Sequence, residues 1–240
     1  MVPYDSNADS IWKTDTARGI ESDGVLELFQ PDDLFKACRA SNKLVYPGIR
    51  LDRTLVLTDR IVLDLFRVVA AGPHRYDYAM HILGTPTAAT ESQGEMPFQD
   101  AGYQHLENVR AIRAPTTGAD ITWEMTCGQL RAVVQASGGS EFILADDPVS
   151  EEVQALGALE PIPRPNALIV RSRGDQAMFT SLWSTEAHDL EMTVEDGRAD
   201  GDVTVKTRIG SQIERWHLPW AAEEVTHEQL PDSVEHIEQT

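Results

Sequence analysis

Short runs of alternating or nearly continuous apolar residues recur along the chain, and few keep the three-to-four spacing of an amphipathic helix. VLELF at 25–29, KLVYPGIRL at 43–51, RTLVLT at 53–58, RIVLDLFRVVA at 60–70 and HRYDYAMHIL at 74–83 open the series. After a Gly-, Pro- and Ser-containing loop at 84–103 come ENVRAIRAP, ADITWEMTC, QLRAVVQAS and EFILADD. A Pro-rich connector, PIPRP at 161–165, leads into NALIVRSR, QAMFTSLWS, LEMTVEDG, GDVTVKTR and SQIERWHL. Turn residues such as SGGS, EDG and ADGD separate the runs, and RGD at 173–175 reads as another hairpin turn. Strands at a spacing of roughly 8–12 residues predict an all-β fold, a large antiparallel β-sandwich. Two short helices are expected, DDLFKACRA over 32–40 capped by Asp32 and SEEVQALGAL over 150–159 capped by Ser150. Residues 1–22 read as an irregular lead-in, 23–220 as the sandwich and 221–240 as an acidic, flexible tail.

Side chains alternate between the two faces of a strand, so the polar cluster HRYDYAMH at 74–81 can be sorted by parity. His74, Tyr76, Tyr78, Met80 and Ile82 share one mostly aromatic and apolar face. Arg75, Asp77, Ala79 and His81 share the other, which is polar apart from one small residue. The preceding run places Val62, Asp64, Phe66 and Val68 on one side and Leu63, Leu65, Arg67 and Val69 on the opposite side. AAGP joins the two runs, and a hairpin is expected there. Asp64 lies within VLDLF, where a carboxylate is costly unless it accepts backbone hydrogen bonds, pairs with an arginine or binds a metal. His81 can be a satisfied strand histidine, and Arg75 with Asp77 a solvated pair; a polar strip of this kind also suits a sugar groove.

Charge narrows the partners. The formal net charge is −19, which disfavours nucleic acid phosphate and anionic lipid, so neither nucleic acid nor a membrane is an expected partner. Of the basic residues only Lys13, Lys36, Lys43 and Lys206 are lysines. Acidic excess with scarce lysine fits a halophilic setting, and GC-rich codon usage gives the same arginine bias. No apolar run reaches the length of a membrane helix, and no signal peptide stands at the N-terminus. Cys38 and Cys127 form no CxxC pattern and are expected to be buried free thiols. A phosphate loop, a GxSxG elbow and an HExxH motif are all lacking. Trp123, Trp183 and Trp216 are expected in the core, and His105, His188, His217, His227 and His236 show no ligand spacing.

The run YPGIRLDRTLVLTDRIVLDLFRVVAAGPHRYDYAMHILG at 46–84 resembles the C-terminal domain of the heparinase II/III-like superfamily of polysaccharide lyases. The matching features are YPG, an Arg-Thr opening a strand, an Asp-x-Phe-x-Val strand and a following His-x-Tyr-Asp-Tyr-x-x-His strand. NALIVRSRGDQAMFTSLWS at 166–184 extends the resemblance, which spans roughly residues 43–215. It implies a β-sandwich that works with an N-terminal α/α toroid, the two enclosing an anionic uronate polysaccharide or oligosaccharide. The implied reaction is β-elimination: a base takes the C5 proton of a uronic acid, an acid protonates the leaving glycosidic oxygen, and a neighbouring group neutralises the carboxylate. It also implies a structural zinc, with Asp64 at the position of the metal-ligand Asp and His81 as the downstream His or a cleft residue. An upstream metal-binding His is missing, since residues 1–45 contain no histidine, and the toroid is expected to lie outside this chain. The candidate catalytic residues are His81, Tyr78 and Arg75, and the substrate-binding ones His74, Tyr76 and Asp77; His74, Tyr76 and Tyr78 match less specific positions of the family, and Tyr76 and Tyr78 weigh towards packing. Such lyases are often secreted or periplasmic, while relatives acting on oligosaccharides can be intracellular. Two other readings stay open: a non-catalytic carbohydrate-binding or scaffolding sandwich, and an autonomous lyase using the 74–81 cluster.

Overall fold

A computed structural model describes residues 24–88, 92–95, 103–104, 106–112, 118–147, 165–186, 189–221 and 224–231. Fifteen strands run in chain order: β1 Val25–Pro31, β2 Lys36–Asn42, β3 Ile49–Leu57, β4 Val62–Leu83, β5 Thr85–Ala88, β6 Ser92–Glu95, β7 Glu107–Ile112 and β8 Ala119–Met125. There follow β9 Gly128–Ala136, β10 Glu141–Asp146, β11 Pro165–Ser184, β12 Leu190–Gly197, β13 Val203–Ile209, β14 Gln212–Leu218 and β15 Thr226–Leu230. No helix occurs among the described residues. Eleven strands form one sheet and β12-β13-β14-β15 a second, all with antiparallel neighbours. The architecture is an all-β sandwich.

The large sheet supplies two layers because its longest strands fold over. β4 and β11 pair from Leu83↔Pro165 to His74↔Gly174, then resume from Val69↔Gln176 to Val62↔Trp183. Residues 70–73 of β4 thus stand opposite Asp175 alone, and this bulge turns both strands through a corner. Asp64 and Tyr78 lie in one strand, yet their side chains hydrogen-bond. In a straight strand, fourteen residues would hold them about 46 Å apart. Phe66 and Tyr78 stack with centroids 5.9 Å apart across the same fold. The hairpin expected at AAGP is therefore absent. The flanking runs face one another from opposite layers, and each pairs with β11. RGD at 173–175 lies at this corner, inside β11, where it had suggested a hairpin turn.

The lower layer runs β1-β2-β3-β4-β11-β9-β8-β5 and the upper layer β4-β11-β10-β7-β6. Tyr76, Tyr78, Trp123, Leu144, Val170 and Phe179 fill the space between them. Leu63 and Leu65, of opposite parity to Asp64, turn to the other face and pack with Val203, Val205, Trp216 and Leu218 of the second sheet. A third cluster, Val109, Ile143, Ala145, Ala167 and Ile169, lies on the outside of the upper layer beneath Tyr103 and Leu106.

Where a helix was expected over 32–40, β2 alternates buried Ala37, Arg39 and Ser41 with more open neighbours. Buried Arg39 gives two guanidinium nitrogens to Asp52 on β3, at 2.8 and 3.0 Å, and Arg67 on β4 gives a third bond at 2.7 Å. Trp220 lies against Arg39, Arg50 and Arg67, 4.5–5.3 Å from ring centroid to guanidinium carbon. A tertiary ion pair thus sets the strand, overriding local propensity. The run at 43–51 becomes strand only from Ile49, because the Asn42 carboxamide accepts from Leu44 and Val45 amides at 2.7 and 2.9 Å and bends the chain. Within the stretch expected as a flexible tail, β15 pairs with β14, and His227 stacks on Trp216 at 4.8 Å. Trp123 and Trp216 are core residues as expected, and Trp183 packs on Trp123. Both cysteines are free, but Cys38 is half-buried and Cys127 exposed, so neither is the buried thiol expected. The helix expected over 150–159 and His105, His188 and His236 fall outside the described residues.

Candidate functional site

Strand parity sorts HRYDYAMH in the fold as it does in the sequence. Tyr76 and Tyr78 point between the layers with Met80 and Ile82. The Tyr78 hydroxyl donates to Asp64, and burial, with the adjacent Asp64 charge, pushes its phenol well above the usual range. Tyr76 is fully buried, and burial raises its phenol too. Neither phenol is open to a substrate: Tyr78 is held by its bond to Asp64 and Tyr76 by packing alone, so neither is placed for the catalytic or binding role expected of it. His74 is half-buried, its ring 6.1 Å from that of Tyr76.

Asp64 resolves its burial by pairing. Arg53 Nε donates to one carboxylate oxygen at 3.0 Å and Nη2 to the other at 2.7 Å, a bidentate fork. The guanidinium stands where a cation would. His81 is 58% exposed on the outer face, with Nδ1 2.6 Å from Asp147 Oδ2. Asp64 faces the inter-layer core, so these two residues do not share a site. Among the described residues no three His, Cys, Asp or Glu side chains are placed to hold a metal ion. The donor set does not fit the implied zinc.

The outer face of β4 carries the rest. Asp77 is buried and accepts a bidentate pair from Arg171, Nε to Oδ1 at 2.8 Å and Nη2 to Oδ2 at 2.9 Å. Tyr103 also hydrogen-bonds Asp77; burial first, then the Asp77 charge, pushes its phenol up. Asp77 is thus a structural anchor, and its expected contact with substrate is corrected. One register step away Arg75 stands directly opposite Arg173, which is exposed. Arg75 is half-buried, with Nε and Nη2 closed off from solvent and its charge acting on Tyr103, so Arg173 is the open guanidinium of the two. Glu141 flanks Arg171 from β10. The outer face therefore offers two elements, an arginine pair near the corner and a His81–Asp147 dyad near the strand end. Held through Nδ1, His81 leaves Nε2 available to move a proton.

Arg171, Arg173, Tyr103 and Asp147 escaped the sequence. The alternation in RSR at 171–173 was the available signal, and reading the next residues as a turn hid its pairing with HRYDY.

No family model matches the sequence, and no curated protein matches it. Solved structures do match. A mutant of heparan sulfate lyase HepC from Pedobacter heparinus superposes with a TM-score of 0.53 over 85% of this chain, at 10% identity. Heparinase III superposes with a TM-score of 0.52 over 86% of this chain, at 7% identity. The fold is the heparinase-like β-sandwich. The matched portions are 29% and 27% of those chains, so this chain spans less than a third of their length. At such identity the likeness establishes the sandwich alone. The arginine pair and the dyad rest on this chain's own geometry.

Proposed function

We propose that this heparinase-like sandwich is one half of a polysaccharide lyase acting on uronate-containing chains by β-elimination, the other half being an α/α toroid. The observation that carries the reading is that exposed Arg173, with Arg75 opposite it in register, and the His81–Asp147 dyad lie along one face of a lyase-type sandwich. Arg173 grips uronate carboxylates by charge-assisted hydrogen bonds, with the Arg75 charge behind it. His81, positioned by Asp147, carries a proton to or from a sugar.

Six residues separate Arg75 from His81, about 20 Å of strand. The arginine pair and the histidine therefore meet different sugars of the polymer. Asp147, the group that contacts His81, is acidic, so in this reading the group that neutralises the carboxylate of the reacting ring comes from the other half. This is why the sandwich acts as half of a cleft. A second reading, a carbohydrate-binding sandwich without chemistry, is favoured by the burial of Tyr78, which removes one candidate proton carrier.

The test is the ultraviolet absorbance of unsaturated product, with the purified chain against heparin, heparan sulfate, chondroitin, hyaluronan and alginate. A flat trace is expected from the chain alone. A signal that disappears in His81→Ala would overturn the half-site reading and establish an autonomous lyase.

A further inference from the structure

At the end of the sandwich away from the β4–β11 corner, the two layers part around a cavity of about 780 Å³. Its lining includes Leu83 and Met125, and Arg110, Glu124, Asp146 and Asn166 contribute polar groups. Several parts are held in place before any ligand arrives. Asn166 donates to the Gly84 carbonyl; Asn108 Nδ2 holds Asp146 at 2.7 Å; Gln129 Nε2 holds Glu124 at 2.6 Å. Gly84, at φ +136°, lets the end of β4 lie against β8, since a Cβ there would fall 2.8 Å from the Glu124 carbonyl. A cavity of this size, part apolar and part lined by fixed polar groups, has the dimensions of a small-molecule site.

The chemistry of the lining selects the ligand. Each ionised carboxylate accepts one side-chain amide and keeps capacity for further donors. Arg110 adds a planar donor fork, and Leu83 and Met125 offer a surface for the apolar face of a ring. Hydroxyl groups, which both donate and accept, suit this mixture. Two carboxylates against one guanidinium give the lining a net negative charge, which repels an anion. From this we infer that the cavity is a saccharide subsite for a neutral pyranose, distinct from the uronate-gripping arginine pair. Asp146 serves this cavity while its neighbour Asp147 holds His81, so the subsite lies one residue from the dyad. The inference concerns binding alone and stands whether or not the chain takes part in elimination.

The test uses the full chain carrying ¹³C-methyl methionine, with the Met125 signal assigned by its loss in Met125→Leu. N-acetylglucosamine and methyl glucoside are titrated, with glucuronate as the anionic comparison. The Met125 signal is expected to shift saturably with the neutral sugars, with glucuronate at least about tenfold weaker. Arg110→Gln and Glu124→Gln, at the open rim, are each expected to weaken the neutral sugars about tenfold, while the other methyl signals report that the fold is kept. Alkylation of exposed Cys127, mapped by peptide mass, should slow when the sugar is bound. The inference is overturned if neutral sugars leave Met125 unmoved, if glucuronate binds as well as they do, or if both rim variants bind unchanged.

Discussion

Asp64 is buried between Arg53 and Tyr78, and both its oxygens are taken by donors. Asp64→Ala removes the acceptor of the Tyr78 hydroxyl and the bidentate partner of Arg53, at a cost of about 2–3 kcal/mol. Calorimetry should show that as a fall in Tm of roughly 4–12 °C for a chain of this size. Tyr78→Phe, which keeps the Arg53–Asp64 pair, should cost less, about 1 kcal/mol. Because Arg53 already supplies the compensating charge, a chelator should leave the Tm unchanged, and a large drop would restore a metal to the account. Asp52 offers a pH test. Burial alone would raise its pKa, but the Arg39 hydrogen bond and the Arg67 charge outweigh it and hold the carboxyl below the usual range. The folded pKa is depressed, so the stabilisation is present above the unfolded value near 4 and lost as pH falls through the folded one. Acid unfolding of the wild type should show this loss below about pH 4, and Asp52→Asn should lack it. Much of this was legible in the sequence: parity separated Tyr76 and Tyr78 from Arg75, Asp77 and His81, and an arginine partner was among the ways to tolerate Asp64. Which arginine it was depended on β3 lying beside β4.

At the scale of elements, β4 and β11 carry the design, since their shared corner makes one sheet serve as two layers. Gly174 marks that corner with φ +150°, and a Cβ there would lie 3.2 Å from the Gln176 carbonyl. Gly174→Ala should destabilise by about 1–2 kcal/mol, measured as a shift of the urea midpoint with its slope unchanged. A neutral result would mean that the corner tolerates a side chain and is not set by this glycine. The two halves of each long strand were legible as separate runs from their apolar spacing. The bend was not, because Gly72 with Pro73, and Gly174 within RGD, carry the same local signal as a hairpin turn. Only the register between residues about a hundred positions apart distinguishes the two. β2 was misread for a similar reason: its buried face includes Arg39, which gives no apolar alternation to read. β15 was hidden in an acidic stretch that gains its place only by pairing with β14.

For the whole molecule, a net charge of −19 on a sandwich opposes compaction, and salt relieves that repulsion over distances beyond a few ångströms. The Tm should therefore rise between low salt and about 1 M salt, where the screening length is near 3 Å. A fall would mean that exposed ion pairs such as Arg215 with Glu195 and Glu228 contribute more than the net repulsion costs. The fold class was legible from strand spacing, and the superpositions on heparinase sandwiches bear it out. The outer face of β4 was only half legible, since Arg173 comes to it from β11 and Asp147 from just beyond β10. In the proposed reading this face holds uronate polymers through exposed Arg173, with Arg75 behind it. The most direct measurement is calorimetric titration of the purified chain with heparan sulfate and hyaluronan, beside the Arg75→Gln/Arg173→Gln double variant. Binding by the wild type is predicted, with a loss of at least about tenfold in the variant, which should keep a cooperative thermal transition. No binding by the wild type, or equal binding by a folded variant, would contradict it.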